Sequence, residues 1–339
     1  MSTAASKKPQ IIEEIRAKAK AKNRHVVFPE GTEERSILAA KEITGIGMAR
    51  VTLLGDKNQV GDLAKKNGLD LKKVDVIDPA KADNLKDFTA QFKEMRKKKN
   101  ITEAEALEAM KQPLYYGAMM VHNDIADASV AGAVNTTGDV MRAAIQVIGM
   151  APGISTVSGA FMMTIPNYLD TGKYRTVMYA DCAVVPNPSA EQLASIAAAT
   201  AQTHKSLTGE EPRVAMLSFS TKGSAKHSDV TKVVQALELV RKNFPHIKVD
   251  GELQLDAAII PSIAKRKVGE SEVAGQANVF IFPDLDAGNI AYKLTERLAR
   301  ATATGPIVQG LAKPANDLSR GCSAEDIVDV SAIALLMRG

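Results

Sequence analysis

Short apolar runs alternate with longer amphipathic stretches along most of the chain, and this rhythm predicts strands separated by helices. Residues 25–28 read as a strand ending at Pro29, residues 51–54 as a strand stopped by Gly55, and residues 74–77 as a third. Thr32 is expected to cap a helix whose first turn holds Glu33 and Glu34, where the helix dipole favours acids. A long basic helical segment runs to about Lys99, and Thr102 with Glu105 forms a capping box that opens the next helix. Residues 128–134 read as a buried strand, and an amphipathic helix follows Thr137 through Gly149.

The second half repeats the grammar. Strands are expected over 156–165, 176–185, 213–219, 249–255, 279–282 and 306–311, with a turn over 167–173. Helices are expected from Ser189 to about Leu207, and over 230–242, 286–300 and 323–337. Strands alternating with helices of this length imply parallel sheets with helices on both faces, right-handed crossovers, and ligands at the carboxyl ends of the strands. A chain of 339 residues suggests two domains, because single cores stop growing near ~250–300 residues. The segment around Gly149, Pro152 and Gly153 is the natural boundary, since Gly and Pro end a helix there. Residues 1–22 read as a basic, partly exposed first helix without an apolar signal core.

Composition narrows the function. The net charge of +4 is a mild excess that suits a small anionic substrate. Aromatics make up 4% and Trp is absent, which argues against a stacking platform for nucleic acid. Cys182 and Cys322 form no Cys-x-x-Cys pair, and the five histidines form no His-x-x-x-His pair, so no metal site is expected. Two thiols in a long chain fit a reducing, cytoplasmic setting. No apolar run reaches the ~20 residues of a membrane span.

The most informative stretch is Asn316-Asp317-Leu318-Ser319-Arg320-Gly321-Cys322-Ser323-Ala324-Glu325-Asp326. It joins a hydroxyl, a guanidinium and a carboxylate where a helix should begin. Ser323 with Asp326 has capping-box form, and helix N-termini attract anions. Taken alone, the pattern also fits plain capping with Arg320 as a solvated charge.

Other segments repeat the theme. Asn135-Thr136-Thr137-Gly138-Asp139 follows a strand and precedes a helix carrying Arg142; it fits a phosphate site or simple capping by Thr136 or Thr137. Ser218-Phe219-Ser220-Thr221-Lys222-Gly223-Ser224 is a hydroxyl-rich loop after a strand, and a polar connection is its plainer reading. Phe282-Pro283-Asp284-Leu285-Asp286-Ala287-Gly288-Asn289 fits a turn plus a cap better than a metal site. Arg96 lies in a basic run that alone reads as a solvated helix face. Neither G-x-G-x-x-G nor G-x-x-x-x-G-K-[ST] occurs as a phosphate fingerprint.

Together these segments, with Phe28-Pro29-Glu30-Gly31, resemble the phosphate acetyl/butyryltransferase family over nearly the whole chain. The resemblance implies two doubly wound α/β domains with a cleft between them, similar to isocitrate and isopropylmalate dehydrogenases. It implies a discontinuous first domain (1–152 plus 306–339) and a second domain (153–305) making the contacts of a homodimer. It implies reversible acetyl transfer between CoA and phosphate by direct thiolate attack. No cofactor is held permanently; CoA or acetyl-CoA, acetyl phosphate and phosphate are substrates, and acetate kinase is the functional partner.

By the same resemblance Asp326 is the base, Ser319 holds substrate or thiol, and Arg320 stabilises transition-state charge. Arg96 and Arg142 bind substrate, with Thr136, Thr137, Ser220, Thr221 and Asn316 as further binding candidates. Asn135 stands where many family members carry His, and Asp286 where Asn is common. One tension is visible already. A capping carboxylate is held in its charged form, whereas a base for a thiol must accept a proton.

Three other readings compete: phosphate butyryltransferase, a decarboxylating dehydrogenase needing a divalent metal and NAD, and a non-catalytic CoA- or acyl-phosphate-binding regulator. A pure binder has no need of a candidate base.

Overall fold

The computed structural model describes residues 10–338. The part of the expected first helix that precedes Gln10 lies outside the described residues, as does Gly339, the end of the expected first domain. The chain divides into two compact units. Among the described residues, a terminal unit holds residues 12–149 and 311–338, and a central unit holds Met150–Gly310 together with Gln10 and Ile11 at the start of the first helix.

The terminal unit begins with α1 (Gln10–Lys22), β1 (His25–Phe28), α2 (Glu34–Gly45), β2 (Arg50–Leu54), α3 (Lys57–Asn67) and β3 (Asp75–Ile77). Then come α4 (Leu85–Met95), α5 (Glu103–Lys111), α6 (Pro113–His122), β4 (Ala128–Ala131) and α7 (Thr137–Val147). The N-cap of α2 is Glu33 rather than Thr32: its carboxylate accepts from the Arg35 amide. The Thr102–Glu105 capping box is present in full. One face of the sheet is covered by a core that includes Phe88, Phe92, Tyr116, Met119 and Met120. These helix side chains bury large apolar area against the strands, and the Tyr116 hydroxyl meets its one polar need by donating to Asn84 Oδ1.

The central unit comprises β5 (Ser158–Ile165), β6 (Arg175–Ala180), α8 (Ala190–Thr208), β7 (Arg213–Leu217), α9 (Ser228–Asn243) and β8 (Lys248–Leu253). It continues with α10 (Leu255–Ile259), α11 (Pro261–Lys267), β9 (Val279–Ile281), α12 (Leu285–Leu298) and β10 (Thr302–Gln309). Its strand order is β10-β5-β6-β9-β7-β8. The sheet is mixed: β5 pairs antiparallel with both β6 and β10, and the remaining pairs are parallel. The all-parallel expectation therefore needs correction here, because residues 167–173 form a short turn that returns the chain as a hairpin instead of a helical crossover.

The chain then returns to the terminal unit with β11 (Ala315–Asp317) and α13 (Ala324–Met337). The order of the terminal sheet is β11-β4-β1-β2-β3, and every pair is parallel. The strand expected to open this return at Pro306 instead belongs to β10, paired with β5 in the central unit. Pro306 cannot donate to a ladder, yet an edge strand with a register shift between Thr304 and Ile307 tolerates it. The return begins at Leu311, and the earlier crossing lies between Gly149 and Met150; the resemblance implied 306 and 152.

Candidate active site

Strands β11, β4 and β1 are neighbours in one parallel sheet, so their carboxyl-end loops (residues 318–323, 132–136 and 29–33) emerge side by side. Two charged side chains organise them. The buried Glu30 carboxylate collects the loop after β4: Oε2 accepts from the amides of Gly132 (3.0 Å) and Ala133 (2.8 Å). Its Oε1 accepts from the amides of Val134 (3.0 Å) and Asn135 (2.8 Å) and from Asn135 Nδ2 (2.7 Å). Successive amides turned toward one point make an anion nest. Here the protein's own carboxylate fills it, so these amides are not offered to a substrate phosphate.

Arg35, near the start of α2, gathers carbonyls. Its Nη2 donates to Ala133 O (2.8 Å), and its Nη1 donates to Arg320 O (2.8 Å) and Cys322 O (2.9 Å). Its Nε donates to Glu33 Oε1 at 2.6 Å, which fixes the guanidinium in place.

The loop after β11 carries the residues singled out in the sequence. Ser319 and Arg320 are exposed, and no ion pair holds the Arg320 side chain among the described residues. Ser319 Oγ accepts from the Gly321 amide at 3.2 Å, a short-range bond that shapes the turn. Asp326 is engaged in a reciprocal capping box: its Oδ2 accepts from Ser323 N (2.8 Å) and Ser323 Oγ (2.9 Å), while its own amide donates to Ser323 Oγ (3.1 Å). Asn316 is buried within β11.

Asp317, at the end of β11, is 5% exposed. Thr137 Oγ1 donates to its Oδ2 at 2.6 Å, while Oδ1 has no partner among the described residues. Burial pushes this carboxyl up to about 6, against the pull of the Thr137 hydroxyl. Gly132 makes room for it, since a Cβ there would stand 2.5 Å from Asp317 Oδ1.

Thr136 is the N-cap of α7, accepting from the Asp139 amide at 3.2 Å. Arg142 is tied to Asp139 at 2.6 Å, and the Thr136 hydroxyl together with Arg142 holds the Asp139 carboxyl below its usual range. Arg96 follows α4 and is half-buried. Arg142 and Arg96 converge electrostatically on Tyr115: burial pushes its hydroxyl up, and both cations pull it down. The structure thus brings Thr136, Thr137, Asn316, Ser319, Arg320 and Asp326 to one end of the terminal sheet, and draws Arg96 and Arg142 to a common neighbour.

Ser220 and Thr221 lie in the central unit, in the loop after β7. Ser220 is fully buried; its hydroxyl donates to Glu252 Oε1 (2.8 Å) and accepts from the Ala225 amide (3.1 Å). Thr221 Oγ1 accepts from the Gln254 amide at 2.9 Å. Both hydroxyls are therefore occupied within their own unit. The 282–289 motif has a packing explanation: Asp284 caps α12, and a Cβ at Gly288 would stand 2.0 Å from Asp181 O. The neighbouring Asn289 Nδ2 donates to Cys182 O at 3.1 Å.

Sequence reasoning assigned no role to Glu30, Arg35 or Asp317. An acid between Pro29 and Gly31 just past a strand was a usable sign for the first. Nothing local marks Arg35.

The family model described as phosphate acetyl/butaryl transferase matches residues 10–335. A phosphate acetyltransferase of Thermoanaerobacterium thermosaccharolyticum is 49% identical over 322 residues, covering 95% of this chain and 97% of the relative. One from Acetivibrio thermocellus is 50% identical over 322 residues, covering 95% and 96%. The solved EutD phosphotransacetylase of Staphylococcus aureus superposes with a TM-score of 0.90 at 40% identity, covering 97% of this chain and 98% of that one. With a match over nearly its full described length, this chain belongs to the phosphate acetyl/butaryl transferase family.

Proposed function

We propose that this protein is a phosphate acetyltransferase that interconverts acetyl-CoA plus phosphate with acetyl phosphate plus CoA. The observation that carries the reading is the exposed Ser319–Arg320 pair at the end of β11, in a chain about half identical to phosphate acetyltransferases over nearly its whole length. The CoA thiolate attacks the acetyl carbonyl, a C–S bond forms, and the C–O bond to phosphate breaks. Arg320 faces the oxyanion of the tetrahedral intermediate, and Ser319 orients the thiol or the acyl phosphate. Arg96 and Arg142 meet substrate phosphates, aided by the hydroxyls of Thr136 and Thr137, with Asn316 of β11 as a further binding residue. Ser220 and Thr221 enter this reading as residues that shape the loop after β7. Phosphate-dependent release of free thiol from acetyl-CoA tests the activity; a chain that binds acetyl-CoA without releasing thiol would instead be a regulator.

In this reading Asp326 accepts the thiol proton, although its Oδ2 already serves the capping box. Asp326→Asn separates the two roles, because an amide oxygen can still accept from Ser323 N. A base predicts a fall in kcat of about 100-fold or more with an unchanged melting temperature. An unchanged kcat would leave Asp326 as a helix cap alone.

The protein works as a homodimer, with an acetate kinase as its partner in acetate metabolism and the cytoplasm as its setting. The outer face of α12 supports the dimer: Ile290 (56% exposed), Leu294 (51%) and Leu298 (79%) recur every four residues as an apolar stripe. Such a stripe on a helix ordinarily faces a protein partner. The double variant Leu294→Glu, Leu298→Glu is expected to sediment as a folded monomer where the parent sediments as a dimer. A variant that remains dimeric would place the interface elsewhere. Among the described residues, no helix is long and apolar enough to cross a membrane.

A further inference from the structure

We infer that Arg35 is a positioning residue for Arg320: its guanidinium latches the loop after β11 to the loop after β4 and so sets where Arg320 points. The inference rests on the role given to Arg320 above. Leu318 and Cys322 are buried at either side of the turn, but Ser319 and Arg320 between them are exposed, so packing does not fix this pair. Most of the hydrogen bonds within residues 319–323 are local ones: Gly321 N to Ser319 Oγ, Cys322 N to Ser319 O, and the Ser323 capping box. Local bonds of this kind set a turn's shape but not its orientation against the rest of the sheet.

Arg35 supplies the missing restraint. One nitrogen, Nη1, donates to Arg320 O at 2.8 Å and Cys322 O at 2.9 Å, while Nη2 donates to Ala133 O at 2.8 Å. Ala133 is itself held from its other side, because its amide donates to Glu30 Oε2 at 2.8 Å. The planar fork of an arginine suits this task, since its donors leave in fixed directions and cannot all be reproduced by an ammonium. Nε on Glu33 Oε1 at 2.6 Å keeps the fork from rotating. Arg35 thus acts through the loop backbone rather than on substrate.

Cys322 provides a reporter that does not depend on turnover. It is 8% exposed, and its Sγ lies 3.7 Å from Arg35 Nη1. Burial pushes this thiol up, while Arg35 pulls it down. The other cysteine, Cys182, is fully buried and pushed far up by burial, so it stays silent.

The two possible roles of Arg35 predict opposite signs. Were Arg35 only a nearby charge, Arg35→Ala would weaken the thiolate and slow alkylation of Cys322. As a latch, its loss frees the loop, and alkylation by iodoacetamide is expected to accelerate about 10-fold or more, with Cys182 still unmodified by mass spectrometry. In parallel, kcat should fall about 10- to 100-fold with the KM for CoA within about threefold. Guanidinium ion at tens of millimolar should restore part of kcat in Arg35→Ala and none in the parent. Arg35→Lys, which keeps the charge but not the fork, should accelerate alkylation by a smaller factor; it also serves if the alanine variant fails to fold. Slowed or unchanged alkylation in folded variants would overturn the latch whatever the activity. Faster alkylation in a chain whose parent has no transferase activity would keep the latch and sink the functional reading.

Discussion

Replacing Arg320 with Gln is expected to lower kcat by roughly 100- to 1,000-fold, the loss typical of one oxyanion-stabilising donor removed from an acyl-transfer site. In free energy that is about 3–4 kcal/mol of transition-state stabilisation. The side chain is exposed and carries no ion pair among the described residues, so its removal leaves no buried partner stranded and the melting temperature should hold. Affinity for CoA should change little, because the charge Arg320 meets develops only as the thiolate adds to the carbonyl. Steady-state kinetics beside calorimetric CoA titration separates the two quantities. A parallel loss of kcat and CoA affinity would make Arg320 a binding residue and remove the oxyanion role.

Glu30→Ala is expected to be the most damaging single change to the terminal unit. It removes the acceptor of the backbone amides of Gly132, Ala133, Val134 and Asn135 together with the Asn135 side chain. Gly132 and Ala133 are buried, so water cannot replace the lost bonds there. At about 1–3 kcal/mol for each stranded buried donor, the loss should reach ~3–5 kcal/mol. Differential scanning calorimetry should register it as a fall in melting temperature of about 10 °C. Activity should fall as well, since the same loop leads into Thr136, Thr137 and the start of α7. Glu30→Gln should lie between parent and Ala, because one amide oxygen still accepts while the amide nitrogen faces donors. A Glu30→Ala protein with unchanged melting temperature would show that the loop holds its shape without the carboxylate.

These two residues also mark what could be read in the chain and what could not. The cluster at Arg320 was visible because its features are local. A hydroxyl, a guanidinium and a capping box fall within eleven consecutive residues, and the boxes at Thr102 and Ser323 both form as their spacing predicts. Most strands were visible for the same reason, as apolar runs bounded by Gly or Pro.

The organising contacts were hidden because they are long-range. Glu30 bonds to residues 102 to 105 positions away, and Arg35 reaches carbonyls 285 and 287 positions away. Strand β11 was missed because Ala315-Asn316-Asp317 lacks any strand pattern of its own; pairing with β4 makes it a strand. Ser220 and Thr221 looked like ligand hydroxyls, yet Ser220 is fully buried on Glu252 and Thr221 accepts from Gln254. Composition alone cannot separate a hydroxyl that binds substrate from one that braces a loop.

The most direct test of acetyl transfer is the initial rate of thioester formation from CoA with acetyl phosphate, run beside butyryl phosphate and repeated with a chelator present. Fast turnover that ignores the chelator and prefers acetyl phosphate is the predicted result. No thioester from either acyl phosphate, in a protein that still binds CoA, would contradict it.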